Sequence, residues 1–213
     1  MTARDWNAAR QQMIAEQLSA RDVRDQRVLD AIARVERHLF VPENARSDAY
    51  EDHPVPIGHG QTISQPYIVG FMTQALDIAP AHRVLEIGTG CGYQTAVLAE
   101  LAREVYSIEV VPELADRARA TLSDLGYANV HLQTGDGYDG WPEEAPFDRI
   151  LATAAPREIP PVLVDQLADD GILVLPVGDW HQEIKVIQKR GGHVQSRDVL
   201  PVRFVPMIKA PGL

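Results

Sequence analysis

The run Val84 to Ile87 is apolar and β-like, passes straight into Gly88-Thr89-Gly90-Cys91-Gly92, and is followed at once by a helical pattern from Tyr93. A strand that turns through clustered glycines into a helix is how an open parallel sheet leaves its ligand crevice. The glycines let the backbone approach a ligand closely, and the helix N-terminus offers it unpaired N–H groups. Beyond this loop short apolar runs alternate with amphipathic ones: EVYSIEV, PELADRARATLSDLG, NVHLQTGD, FDRILATAA, PPVLVDQLADDG and ILVLPVG. This alternation predicts right-handed βαβ units, and so a doubly wound, Rossmann-like α/β sheet that is mostly parallel, with helices on both faces. Near the C-terminus the rhythm changes. HQEIKVIQKR and HVQSRDVLPVRFVPM flank Gly191-Gly192, which predicts antiparallel strands closing one edge of the sheet.

Upstream, Trp6, Met13, Ile14 and Leu18 make one helical stripe. Asp25 is placed to cap a second helix carrying Val28, Leu29, Ile32 and Val35. The stretch from His38 to Gly60, with prolines at 42, 54 and 56, reads as an irregular, surface-packed connection. With no repeat and no second core, residues 1–213 are expected to form one domain: an N-terminal helical extension and loop over 1–60, and a catalytic α/β core over 61–213.

Charge and composition narrow the partners. Twenty basic against 30 acidic residues give a net charge of -10 and leave no basic stripe, which argues against a nucleic acid partner. No apolar stretch approaches the roughly 18 residues of a membrane span, and the charged N-terminus lacks the apolar core of a secretion signal. The single cysteine, Cys91, allows no intrachain disulfide and fits a reducing compartment, so a cytoplasmic protein is expected. It is separately expected to act as a monomer. Seven scattered histidines show no metal-binding spacing, and no metal is expected.

The glycine loop alone does not name its ligand. Dinucleotide enzymes space their glycines G-x-G-x-x-G, whereas this loop runs G-x-G-x-G and is followed by Tyr93 and Gln94. Glu109, ending the second strand of the core, is placed to accept bonds from two ribose hydroxyls. Asp136, in Thr134-Gly135-Asp136-Gly137, is placed to meet the exocyclic amine of an adenine. Glu86 lies in the first core strand, near the expected ammonium and sulfonium end. Taken singly, each is an ordinary strand end or helix cap. Together, three carboxylates around one crevice suit a cationic nucleoside such as S-adenosylmethionine and oppose a pyrophosphate.

Four segments then carry a specific resemblance: Gly58-His-Gly-Gln-Thr-Ile-Ser-Gln-Pro-Tyr-Ile, Val84-Leu-Glu-Ile-Gly-Thr-Gly-Cys-Gly-Tyr-Gln-Thr, Gly135-Asp-Gly and Ala152-Thr-Ala-Ala-Pro. Over almost its whole length the chain resembles the protein-L-isoaspartate O-methyltransferase family, a class I methyltransferase family. The second and third segments are widespread among methyltransferases, whereas TISQPY is close to diagnostic. The resemblance implies S-adenosylmethionine as cofactor, S-adenosylhomocysteine as product, and isoaspartyl proteins and peptides as substrates. It makes Ser64 the active-site residue, with Thr62 and Ile63 beside the cofactor. Glu86, Gly88, Thr89, Gly90, Gly92, Glu109, Asp136 and Gly137 are implied as further cofactor contacts. Animal relatives add a threonine and a glutamine after a YVPL-like segment, but here Phe204-Val-Pro-Met207 is followed by Ile208.

Ser64 also has a plain structural reading as an N-cap ahead of Pro66, and His59 reads as a loop residue rather than a base. Three other functions are weighed: a methyltransferase with a different acceptor, such as a small molecule or RNA, a non-catalytic S-adenosylmethionine sensor, and a dehydrogenase. TISQPY opposes the first, the intact glycine loop and Ser64 the second, and the three carboxylates the third.

Overall fold

The computed structural model describes residues 5–210. The N-terminal stripe is a helix, α1 (Trp6–Met13), which Asp5 caps and which runs on as a π-helical turn through Ile14–Ser19. The Asp25 carboxylate accepts from Arg27 N at 2.9 Å and starts α2 (Gln26–Arg34) as the sequence predicts. Met13, Leu18, Val28 and Ile32 are all at most 2% exposed, so the helical pair is anchored in the core.

The connection after α2 is exposed over much of its length, as the sequence predicts, but it is partly ordered and partly buried. Two 3-10 turns, Arg37–Leu39 and Glu43–Asp48, lead into a hairpin of β1 (Val55–Gly58) and β2 (Gln61–Ile63). Phe40, Val41, Ala49, Tyr50, Val55 and Ile57 are buried beneath it. The prolines misled the surface reading: Pro56 and Thr62 face outward from the hairpin while Val55, Ile57 and Ile63 alternate inward. α3 (Pro66–Ala75) then starts with proline in its first turn, where the missing N–H costs nothing.

Among the described residues seven strands build one sheet. They are β3 (Arg83–Ile87), β4 (Glu104–Glu109), β5 (Val130–Thr134), β6 (Phe147–Ala152), β7 (Leu167–Val177), β8 (Gln182–Arg190) and β9 (His193–Val202). Their order is β5-β4-β3-β6-β7-β8-β9; the first five run parallel, and β8 and β9 are antiparallel. The chain winds outward through α4 (Tyr93–Ala99) and α5 (Pro112–Asp124), then crosses back past β3 and winds the other way through α6 (Pro161–Asp165). The sheet is thus doubly wound, and its order reverses between β3 and β6, where such sheets hold ligands.

Residue alternation sets the two faces. Val84, Val105, Leu151 and Val174 pack with α3 and α4, while Leu85, Ile87, Ile108, Ile150 and Leu173 pack on the opposite side with α6. One boundary departs from the sequence reading. The stretch Leu167 to Gly171, expected in a helix, belongs to β7: Leu167 pairs with Phe147, and Asp169-Asp170 bulges outward with Asp170 at φ 60°. The Gly191-Gly192 turn joins β8 to β9 as expected, both glycines having positive φ.

Candidate active site

The carboxyl ends of the central strands meet the β2–α3 segment around a cleft. Thr62, Ile63 and Ser64 come from the hairpin side, and Gly88–Cys91 from the loop after β3. Glu109 and Val110 come from the end of β4, Gly137 from beyond β5, and Thr153 and Ala154 from beyond β6. The segment Val205–Ile208 completes the lining. It is fastened by Ala155 N to Val205 O at 2.9 Å, Met207 N to Ala155 O at 2.8 Å, and Ala210 N to the Asp136 carboxylate at 3.1 Å.

Two glycines are dictated by space. Gly88 has φ +94°, and a Cβ there would stand 2.5 Å from Thr153 Oγ1, which itself donates to Gly88 O at 2.6 Å. A Cβ on Gly137 would fall 2.3 Å from Ile87 Cγ2 and 3.0 Å from Met207 Cε.

Glu109 is 5% exposed and is the one charged side chain among those lining the cleft. Its Oε2 accepts from Gly90 N at 2.7 Å and its Oε1 from Val111 N at 3.0 Å, so the glycine loop is bonded to the end of β4. Glu86 lies behind that loop, fully buried. Its Oε2 accepts from Thr95 Oγ1 at 2.5 Å and Ser107 Oγ at 2.6 Å, while Oε1 has no hydrogen-bond partner. Burial pushes its carboxyl pKa up to about 8. Ser107 also meets the Thr89 hydroxyl at 2.6 Å, so a line of hydrogen bonds runs from Glu86 to the cleft wall.

Ser64 does not cap α3. Gln65 takes the N-cap position without a side-chain bond, and no bond from the Ser64 hydroxyl is found among the described residues. Ser64, Thr62, Thr153 and Val205 also line a second, open groove, walled by Pro54, Ile68, Pro201, Arg203 and Phe204. The two spaces therefore share Ser64. Behind it, Arg37 is 0% exposed: Nη2 donates to Ser64 O at 2.7 Å, Nε to Ala49 O at 2.6 Å, and the guanidinium sits 4.8 Å from the centre of the Tyr93 ring.

The profile of the protein-L-isoaspartate(D-aspartate) O-methyltransferase family matches residues 8–211. The chain belongs to that family. A protein-L-isoaspartate O-methyltransferase of Opitutus terrae is 56% identical over 202 residues, covering 94% of this chain and 87% of its own. One from Myxococcus xanthus is 54% identical over 212 residues, covering 97% of both. A solved protein-L-isoaspartate O-methyltransferase superposes with TM-score 0.86 at 26% identity over 95% of this chain and 67% of its own. A Plasmodium falciparum chain solved in complex with S-adenosyl-L-homocysteine gives 0.82 at 25% identity over 97% and 100%.

Within this family framework, the structure gathers Thr62, Ile63, Ser64, Gly88, Thr89, Gly90, Glu109 and Gly137 around one cleft. Gly92, Glu86 and Asp136 stand back from its lining. Gly92, at φ +88°, begins α4 against Leu122 and Ala118. Glu86 is turned by strand alternation toward α4, opposite Leu85 and Ile87, and so away from the crevice expected for it. Asp136 is occupied by Tyr138 N and Ala210 N. Gln94, Thr153, Ala154 and Val205–Ile208 also line the cleft; the sequence reading assigned none of them to the site, although all lie in segments it singled out. It also missed Arg37, which stands between Glu36 and His38 in Val35-Glu-Arg-His-Leu-Phe-Val41 with no local pattern to set it apart. Among the described residues no group of three or more His, Cys, Asp or Glu could hold a metal, and no helix is long and apolar enough to cross a membrane.

Proposed function

We propose that this chain transfers the methyl group of S-adenosylmethionine to the free α-carboxylate of L-isoaspartyl residues in damaged proteins and peptides. The observation that carries the reading is the charge inventory of the cleft: one carboxylate, Glu109, and no lysine, arginine or histidine in the lining. Such a lining suits a cationic sulfonium nucleoside. It gives a dinucleotide pyrophosphate no countercharge, which disfavours a dehydrogenase. Family membership disfavours a different acceptor and a mere sensor.

In this reading the Gly88–Gly92 loop, Glu109 and the Asp136–Gly137 turn hold the cofactor, Thr62 and Ile63 border it, and Glu86 stiffens the loop from behind through Ser107 and Thr89. The bound cofactor supplies an electrophilic methyl group. The chain's own residues supply aim. An α-carboxylate has a pKa of about 3.3–3.7 and is already ionised at neutral pH, so no general base is needed. Ser64, with its hydroxyl uncommitted and shared between cleft and groove, donates to one carboxylate oxygen and leaves the other facing the methyl group. Alignment of this kind can contribute roughly 7–11 kcal/mol. Ile63, Ile87 and Met207 exclude water from the point of transfer. The open groove beside Pro54 and Phe204 receives the peptide chain. The neutral ester is more readily attacked than the carboxylate: the amide nitrogen of the following residue bonds to the ester carbonyl carbon and methanol leaves with the amide proton, giving a succinimide and so beginning repair. The reading extends to one catalytic domain acting as a monomer in the cytoplasm without nucleic acid, supported by the acidic balance and the lone, buried Cys91.

The test is transfer of labelled methyl from S-adenosylmethionine to paired peptides carrying isoaspartate or aspartate at one position. Base-labile label on the isoaspartyl peptide alone is expected, and Ser64→Ala should lower kcat about 10-fold or more while leaving cofactor affinity within about twofold. Label on neither peptide, with cofactor bound, would overturn the acceptor assignment.

A further inference from the structure

Arg37 is a cation with 0% exposure and no carboxylate in ion-pair contact among the described residues. Its Nη1 is buried and has no hydrogen-bond partner. Burial lowers its pKa, while Tyr93 opposes that fall. An isolated buried charge is costly, and a cavity of this kind is more cheaply filled by an apolar side chain. The two carbonyls it satisfies belong to Ala49 and Ser64, and the ring beneath it belongs to Tyr93. Ser64 and Tyr93 both line the cleft. One side chain therefore ties together the buried turn before the hairpin, the acceptor-side serine and the first residue of the helix that follows the glycine loop.

We propose that Arg37 is a positioning residue for the acceptor carboxylate: it fixes the backbone of Ser64 relative to the cofactor loop and leaves its positive charge uncompensated behind that serine. The cleft thus has a negative pole at Glu109, matched to a cation, and a positive one behind Ser64, matched to the incoming anion, although its lining holds no basic side chain. Lysine cannot replace this geometry. Its single ammonium is a point donor and cannot hold two carbonyls on different segments while lying flat on a ring.

The inference rests on the acceptor role proposed for Ser64, and a thermodynamic cycle separates the two. Arg37→Lys, Arg37→Gln, Ser64→Ala and the Arg37→Lys/Ser64→Ala double variant are compared by kcat, peptide KM, cofactor Kd and thermal midpoint. Arg37→Gln should lower kcat/KM for an isoaspartyl peptide by about 10- to 100-fold, the scale expected of a misaimed reactant, with cofactor Kd within about twofold. Arg37→Lys, which keeps the charge, should recover part of the KM effect and little of the kcat effect. Adding Ser64→Ala to Arg37→Lys should cost far less than Ser64→Ala costs alone, because both act on one aim. Additive losses would overturn the proposal. So would a cofactor Kd that rises in step with the loss of turnover, or failure of both single Arg37 variants to melt cooperatively, since these outcomes assign Arg37 to the fold alone. If Ser64→Ala by itself leaves turnover intact, it is the role of Ser64 that fails first.

Discussion

At the scale of single residues, burial decides what each charged group can do. Glu86 lies inside β3 and Glu109 ends β4 on the same face of the sheet, yet only Glu109 lines the cleft, because it stands at the strand end whereas Glu86 lies behind the glycine loop, bonded to Thr95 and Ser107. Glu86 instead holds a proton at neutral pH. Its folded pKa of about 8 lies above the ordinary carboxyl value of 4.5, so the stabilising contribution of the protonated form is complete below about pH 4.5 and lost as pH rises toward 8. Glu86→Gln keeps a neutral acceptor for Thr95 and Ser107 and removes the titration. Thermal melts without cofactor should show the variant gaining on the wild type from pH 5 to pH 8, by on the order of a few kcal/mol at the upper end. Parallel curves would mean that Glu86 is ionised in the native state. The glycines and Glu109 were legible in the sequence because their chemistry follows from their place after strands. Arg37 was not, because its significance lies in burial without an anion, which no local pattern encodes.

Among elements, the β2–α3 junction and the Val205–Ile208 segment bracket the glycine loop and make the cleft. Strand–helix alternation was readable from Val84 onward because buried parallel strands are short and apolar and the helices between them carry the polar face. The hairpin of β1 and β2 was not, since its strands are only four and three residues long and carry Pro56 and glycines that normally mark loops. The α6–β7 boundary was blurred because Leu167-Ala-Asp-Asp-Gly contains residues of low β-propensity that the structure places on a bulge. Contact between elements also sets what a methyl group at Gly137 would cost. Gly137→Ala would push a methyl group into Ile87 at the end of β3 and Met207 of the fastened segment, with a cost of about 1–3 kcal/mol. Because both neighbours line the cleft, cofactor Kd should rise along with the fall in thermal midpoint, read by calorimetric titration and melting. A fall in stability with unchanged Kd would show that the segment yields without disturbing the cleft.

Over the whole molecule, the N-terminal helices share one buried cluster with α4 and α5, which pack on the sheet: Met13, Leu18 and Ile32 join Val97, Leu114 and Ala118. Melting should therefore be a single transition. S-adenosylhomocysteine at about 100 times its Kd should add about 2.7 kcal/mol, which for a chain of this size raises the midpoint by roughly 5–11 °C. Two transitions, of which the ligand moves only one, would separate the N-terminal segment from the ligand-binding core. The fastening of Val205–Ile208 across Ala155, with Ala210 held by Asp136, has a further consequence for a chain made in one direction. While it is still being synthesised, a molecule can already possess its glycine loop, Glu109 and Ser64, yet its cleft stands open along one side until these late residues emerge. The site is thus completed by a stretch made after every strand of the sheet, and a chain stopped before it has a sheet without a closed active site.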